Sequence, residues 1–381
     1  MAAYENDLSR LVEELNRSTP GTKPAERSSL DQLLTLAAQR DASDILLVIG
    51  SVITLRIHGV LTAATTKPLA SDDIRSLLLP LLAAEQSAQL QKNRSVDFCF
   101  LRGSIGRVRA NIHYQRGTLA ASLRLLPSQI PSLESLHLPS ILAQLSERKQ
   151  GLVLLTGPTG SGKTSTMAAL IDLVNARRRD HIITIEDPIE YQHANRNSIV
   201  EQIEVGEDTP SFAQAVRAVL RQDPDVILIG EMRDSETMAA ALTAAETGHL
   251  VLSSLHTNDA AQTVSRILDS FPAGNQPQIR QQLSLALLAV ISQQLVPAAD
   301  RASRYPAVEI MMATSGIRNL IRTGNDHQIR SHISTGRADG MLTMEQSLAE
   351  LVRSGVVSRE TAFAHCYHAD ALRQYLDGLS R

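Results

Sequence analysis

The sequence predicts an α/β protein in two parts, a smaller α+β domain followed by a parallel sheet covered on both faces by helices. Three observations carry this prediction. The chain has 381 residues, too many for one small module at roughly 150 residues per domain. Its second half alternates short apolar runs with helical segments, the pattern of strands buried on both faces. A glycine-rich octapeptide, Gly157-Pro158-Thr159-Gly160-Ser161-Gly162-Lys163-Thr164, stands between one such run and a helix.

Taken in order, residues 1–28 read as a short helical pattern followed by Ser18-Thr19-Pro20-Gly21-Thr22-Lys23-Pro24, a flexible extension. The smaller domain is expected over 29–126. It opens with a helix carrying Leu30, Leu33, Leu34 and Ala37 on one face. Strands are predicted over 44–49 and 52–57, with a turn at His58-Gly59, then a single helix over 71–91. Two further β segments follow, 97–114 and 119–125, broken by turns at Arg102-Gly103 and Arg116-Gly117. Pro127 and Pro131 oppose both helix and central strand, so a linker is placed over 127–133. From 134 the strands are expected at 152–155, 182–185, 226–229 and 250–252, and the helices at 163–176, 212–220 and 237–245. Beyond about 273 the strand signals thin out and a helical part is expected to the end.

Composition narrows the function classes. Lys plus Arg number 37 against 40 Asp plus Glu, a net charge of -3, which gives no sign of a nucleic-acid-coating protein. Aromatic residues make up 3% and Trp is absent, so the cores must be built from Ala, Leu, Ile and Val. Two cysteines, Cys99 and Cys366, make neither a disulfide framework nor a four-cysteine zinc site, and a reducing cytoplasm fits them. Residues 1–16 carry four acids and no continuous apolar core, unlike a secretory signal. The apolar stretch 283–291 falls short of the roughly 18 residues of a membrane span, so any membrane role is expected to run through partners.

The octapeptide matches G-x-x-x-x-G-K-[ST], with a strand before it and a helix after it, where its mechanism needs it. Its glycines let successive N–H groups turn toward an anion, and the helix N-terminus adds partial positive charge. Lys163 is expected to reach the β and γ phosphates and the Thr164 hydroxyl to ligate Mg2+. Hydrolysis also needs a carboxylate that orients water. Glu231 ends the apolar run Val226 to Ile229, and Glu190 lies in an acidic cluster after Ile185, so both are expected at the carboxyl edge of the sheet. The reading takes Glu190 as general base and Glu231 as the group that positions water and metal, with the exchange of these roles left open. Glu186 and Asp187 are assigned to organising the loop or the metal's water shell. His256 and His249 flank the next strand; His256 is the stronger candidate for a hydrogen bond to the γ-phosphate.

These segments resemble the secretion-superfamily hexameric ATPases and, within them, the type IV pilus retraction ATPases of the PilT type. The octapeptide, Ile183 to Tyr191, Gly230-Glu231-Met232-Arg233-Asp234 and Glu246 to Thr257 are similar, in that order, to the family's Walker A, Asp box, Walker B and His box. The resemblance implies a PAS-like first domain, a RecA-like ATPase domain and a homo-hexamer with nucleotide at its interfaces. It implies that Arg109 and Arg124 reach the nucleotide as domains close, and that Arg217 and Arg221 form a further pair at the site. It also implies ATP as substrate with Mg2+, a cytoplasmic position peripheral to the inner membrane, and an inner-membrane platform protein as partner. A paralogous pilus ATPase is a further partner on this reading, and direct nucleic-acid binding is not expected.

Extension and type II secretion relatives usually carry an added N-terminal region and a tetracysteine zinc site, and this sequence has neither. Gly316-Ile317-Arg318-Asn319-Leu320-Ile321-Arg322 is similar to the retraction family's Ala-Ile-Arg-Asn-Leu-Ile-Arg-Glu segment, with Gly316 and Thr323 at its altered ends. A pilus extension or type II secretion ATPase and an accessory PilU-like paralogue are the alternatives within the family. A hexameric nucleic-acid motor and a nucleotide-gated scaffold without turnover are others; few aromatics weigh against the first and the acids Glu190 and Glu231 against the second.

Overall fold

The computed structural model describes residues 29–57, 59–127, 129–300 and 303–378. The helical extension expected over 1–28, and His58 of the expected turn, lie outside them. The chain divides between Gln129 and Ile130 into two compact units.

The first unit opens with α1 (Ser29–Gln39). Leu30, Leu33, Leu34 and Ala37 of this helix are buried together, as their spacing requires. A six-stranded antiparallel sheet is formed by β1 (Ala42–Leu47), β2 (Thr54–Ile57), β3 (Val60–Ala63), β4 (Ser95–Arg102), β5 (Gly106–Gln115) and β6 (Thr118–Leu125), in the order β3-β2-β1-β6-β5-β4. The helix expected over 71–91 is two helices, α2 (Ser71–Leu78) and α3 (Ala84–Asn93), separated by a 3-10 turn at Leu79–Leu81. Pro80 has no N–H to continue the ladder, which is the physical reason for the break. Ile45, Leu55, Phe98, Ala110 and Leu123 turn into the core with Leu33, Leu34 and Ile74. The alternate positions form a row across all six strands on the other face: Leu61, Arg56, Asp44, Arg124, Arg109 and Cys99 are successive register partners.

The second unit begins with a 3-10 helix at Ser140–Glu147 and holds a seven-stranded sheet. Its strands are β7 (Gly151–Thr156), β8 (His181–Glu186), β9 (Ile199–Glu204), β10 (Val226–Ile229), β11 (Leu250–Leu255), β12 (Leu287–Pro297) and β13 (Arg304–Met312). The order is β13-β12-β7-β11-β10-β8-β9, parallel except at β13. Helices α4 (Lys163–Arg177), α5 (Phe212–Val219), α6 (Ser235–Glu246), α7 (Ala260–Asp269) and α8 (Gln276–Ala286) connect or flank the strands. Both faces are buried: Leu152 and Leu154 of β7 enter one core with α6 and α7, while Val153 and Leu155 enter another with α4. This is why these strands read as continuous apolar runs.

The part after 273 differs from the helical expectation, because β12 and β13 form there. The run Leu287 to Ile291 is apolar on both faces, so its periodicity does not distinguish a buried strand from a buried helix. Strand β9, at the edge of the sheet, likewise has no counterpart among the expected strands. The rest of this part is helical: α9 (Ser315–Thr323), α10 (Ile329–Thr335), α11 (Met344–Arg353), α12 (Arg359–His365) and α13 (Ala369–Asp377). Val296 and Ala307 of the two strands pack with Met344, Leu348 and Leu372 of these helices.

Candidate functional site

Because β7, β8, β10 and β11 are parallel, the segments that follow them leave from one edge of the sheet. That edge carries the octapeptide, the Asp187 to Tyr191 loop, Gly230 to Asp234 and His256. Gly157 has φ +137°, and a Cβ there would lie 2.1 Å from the carbonyl oxygen of Gln293 on β12. Gly162 has φ +90°, and its Cβ would lie 2.7 Å from Gln293 Nε2. Both glycines are therefore required by conformation and by space. Pro158, Thr159 and Gly160 form the exposed turn of the loop. Lys163 is buried, and its ammonium donates to the carbonyls of Gly157 at 2.7 Å and Pro158 at 3.0 Å. Burial lowers the Lys163 pKa, and the nearby carboxylate of Glu231 works against that shift.

The loop fits an anion such as a nucleotide phosphate. The buried hydroxyl of Ser161 has no hydrogen-bond partner among the described residues, and the N-terminus of the 15-residue helix α4 begins immediately beyond it. The Thr164 hydroxyl and the Glu231 carboxylate are oxygen donors suited to Mg2+. Among the described residues, no group of three or more His, Cys, Asp or Glu could hold a metal ion unaided. Such an ion would be shared with the phosphates, the usual arrangement for Mg2+.

Glu231 follows β10. One carboxylate oxygen pairs with the Arg233 guanidinium, and Oε2 lies 3.3 Å from Nε2 of His256. The main chain fixes this meeting: Met232 N–H donates to Ser254 O at 3.1 Å, and the Ser254 hydroxyl donates to Gly230 O at 2.6 Å. Leu255 pairs with Thr156, which brings His256 level with Gly157.

Glu190 is held indirectly. The Glu186 carboxylate accepts the main-chain N–H of Glu190, the Thr184 hydroxyl at 2.7 Å and Gln202 Nε2 at 3.1 Å. Burial raises the Glu186 pKa while these donors favour its anion. Beside it the Tyr191 hydroxyl meets the Ser165 hydroxyl at 2.8 Å, tying the loop to the first turn of α4. Glu186 thus ties the loop to β8 and β9 through Thr184 and Gln202.

The remaining candidates lie elsewhere. His249 precedes β11, so it sits at the opposite edge of the sheet, roughly 20 Å from His256 at strand rise. Its Nδ1 lies 2.9 Å from Ala244 O and 3.2 Å from the Thr247 hydroxyl, contacts that close the turn after α6. Direction along one strand thus removes His249 from the phosphate edge. Arg217, on α5, pairs with Glu236 at the start of α6. Arg221 lies in the turn after α5, which leads to Asp225 and the opening of β10, again at the opposite edge. In the first unit Arg109 and Arg124 are register partners, and Arg124 Nε donates to Asp44 Oδ1 at 2.8 Å. Tyr191, Ser165, Arg233 and Gln293 were not singled out from sequence. Only Arg233 carried a signal there, as a neighbour of Glu231.

This architecture, a phosphate loop and acidic strand ends on a mostly parallel sheet that follows a small α+β unit in the chain, defines a RecA-like P-loop ATPase fold with a PAS-like first unit. The family profile described as type II/IV secretion system protein matches residues 20–375, and the chain belongs to that family. It is 41% identical to the type IV pilus retraction ATPase PilT of Pseudomonas aeruginosa, over 87% of this chain and 96% of that one. It is 39% identical to the type IV pilus ATPase PilU of the same organism, over 90% of each chain. The crystal structure of the pilus retraction motor PilT with bound ADP superposes with a TM-score of 0.84 at 43% identity, covering 90% of this chain and 98% of that one.

Proposed function

We infer that the chain is an ATP-hydrolysing motor subunit that drives type IV pilus retraction. The observation that carries the reading is the convergence of Lys163, Glu231 and His256 at the edge from which the phosphate loop leaves the sheet. Its similarity to PilT over nearly the full length of both chains supports the pilus as the object of the work.

In this reading the loop Gly157 to Gly162 binds the phosphates by its N–H groups and Lys163 neutralises them. Glu190 takes the proton of the attacking water, and Glu231 orients that water. His256 shares the carboxylate of Glu231 and donates toward the γ-phosphate. Thr164 and, through water, Glu231 would hold Mg2+, which would supply charge neutralisation at the phosphoryl group. Arg109, Arg124, Arg217 and Arg221 belong to the same proposal as guanidinium groups that stabilise phosphoryl charge within a homo-hexamer. The load passes to an inner-membrane platform protein, with the chain working at the cytoplasmic side.

The test is steady-state ATPase activity of wild type, Lys163→Ala and Glu190→Gln, with the same variants tested for twitching in a retraction-deficient strain. Loss of hydrolysis and of twitching in both variants is expected. Undiminished hydrolysis by Lys163→Ala would overturn the site. Gly316 and Thr323, which alter the retraction-family segment, favour a second reading as an accessory PilU-like motor. That reading requires twitching to be restored only when a PilT-type partner is present.

A further inference from the structure

We propose that Gln293 is a positioning residue of the nucleotide site, one that holds the phosphate loop from behind in the shape that aims its N–H groups at an anion. The inference rests on the reading of that loop given above. Gln293 lies on β12 and is buried. Its Nε2 donates to Ser161 O at 2.8 Å, and its Oε1 accepts the Thr166 hydroxyl at 2.9 Å. Its own carbonyl is the atom that excludes a Cβ at Gly157, and its Nε2 is the atom that excludes one at Gly162. The loop is therefore packed against this residue at both ends. Among the described residues, Gln293 is the one side chain outside the loop and its helix that hydrogen-bonds the loop's backbone.

The orienting effect follows from peptide geometry. Ser161 C=O and Gly162 N–H belong to one planar trans peptide, in which the two bonds point in opposite directions. Drawing the Ser161 carbonyl toward β12 turns the Gly162 N–H away from β12, toward the concave side of the loop. Only a carboxamide of this length donates to Ser161 O and accepts from Thr166 at once. A carboxylate would set oxygen against oxygen at Ser161, and an aliphatic chain would leave both buried partners unpaired.

The neighbouring residue supplies a control. Gln294, also buried, alternates to the other side of β12, where its Nε2 donates to His365 O at 2.9 Å. The experiment is titration of the purified full chain with a fluorescent ADP analogue and Mg2+, with thermal melting of each variant. Gln293→Leu is expected to weaken ADP binding at least tenfold, Gln293→Glu to weaken it in the same direction, and Gln294→Leu to stay within twofold of wild type. Should Gln293→Leu not fold, Gln293→Glu carries the test, since it keeps the volume of the side chain. ADP affinity within threefold of wild type in the folded Gln293 variants overturns the assignment, as does an equal loss in Gln294→Leu. A wild type that binds no ADP while folded would sink the nucleotide reading itself, which is a different result.

Discussion

Oε2 of Glu231 and Nε2 of His256 meet at 3.3 Å across the ends of two adjacent strands, and the other oxygen of the same carboxylate is paired with Arg233. One carboxylate is thus oriented from two sides by residues distant from it and near it in sequence. Glu231→Gln keeps the shape and loses the charge, so ATP turnover is expected to fall by about 100-fold or more. His256→Ala removes one orienting contact and leaves the charge, so kcat should fall about tenfold with KM within twofold. Steady-state kinetics checks both; equal effects on KM and kcat would mean that His256 acts in nucleotide binding.

Glu186 and Glu190 should separate in a way that their spacing in sequence does not suggest. The carboxyl group of Glu186 faces three donors, so Glu186→Gln turns one acceptor into a donor and leaves a buried group unpaired. A loss of about 1–3 kcal/mol in unfolding free energy is expected, with lower activity as a consequence. Glu190→Gln should abolish turnover while leaving the melting temperature unchanged. Denaturant unfolding beside ATPase assays makes the comparison.

Buried Glu309 gives a pH signature. Burial pushes its pKa up to about 7, with the charges of Asp259 and Glu345 adding to the rise while the Ala260 N–H and the Arg330 guanidinium oppose it. The folded value lies above the unfolded one, so the folded state holds the proton more tightly. This group's contribution is complete below about pH 4.5 and is lost as pH rises through about 7. Glu309→Gln still accepts the Ala260 N–H and has no charge to bury. The melting temperature of the variant relative to wild type should climb between pH 5 and pH 8, a gain of up to roughly 3 kcal/mol. A constant difference across that range would refute the titration.

Arg318 is expected to matter for folding before it matters for chemistry. Its Nε donates to Ala313 O at 2.9 Å, Nη1 to Ser284 O at 2.8 Å and also to Leu285 O, and Nη2 to Leu287 O at 2.7 Å. One guanidinium thus closes the end of α8 and the entry to β12, and fastens both to α9. Arg318→Ala should cost about 2–3 kcal/mol, and Arg318→Lys should recover less than half, because an ammonium lacks the planar fork that reaches several carbonyls together. Urea unfolding of the full chain measures it.

Much of the second unit was legible in the sequence for a physical reason. Val226 to Ile229 is apolar throughout because the strand is buried on both faces, and the prediction there matches β10 at both ends. The octapeptide was legible because its glycines answer a local need for positive φ. Strand β12 was not, since a run without polar alternation carries no period, and the partner that makes it a strand, β7, is more than a hundred residues away. Gln293 was hidden for the same reason: a buried amide acquires meaning only from Ser161 and Thr166, which tertiary structure brings to it. His256 already ranked above His249 in the sequence, but both stood as candidates at the two ends of one strand. Chain direction could have separated them, because only the carboxyl end of a parallel strand meets the phosphate edge.

The row that crosses the sheet of the first unit sets Arg56, Arg124 and Arg109 around the single carboxylate of Asp44. Arg56 Nε stands 3.7 Å from Asp44 Oδ2, on the side opposite Arg124. Within this row one negative charge stands against three positive ones, over a span of about 14 Å, three strand spacings. That distance exceeds the screening length of roughly 8 Å at physiological ionic strength but lies well inside that of dilute buffer. The row thus carries an excess of like charge in the manner of a charged capacitor plate. Dilution strengthens the repulsion among these arginines, and salt or a polyanion weakens it.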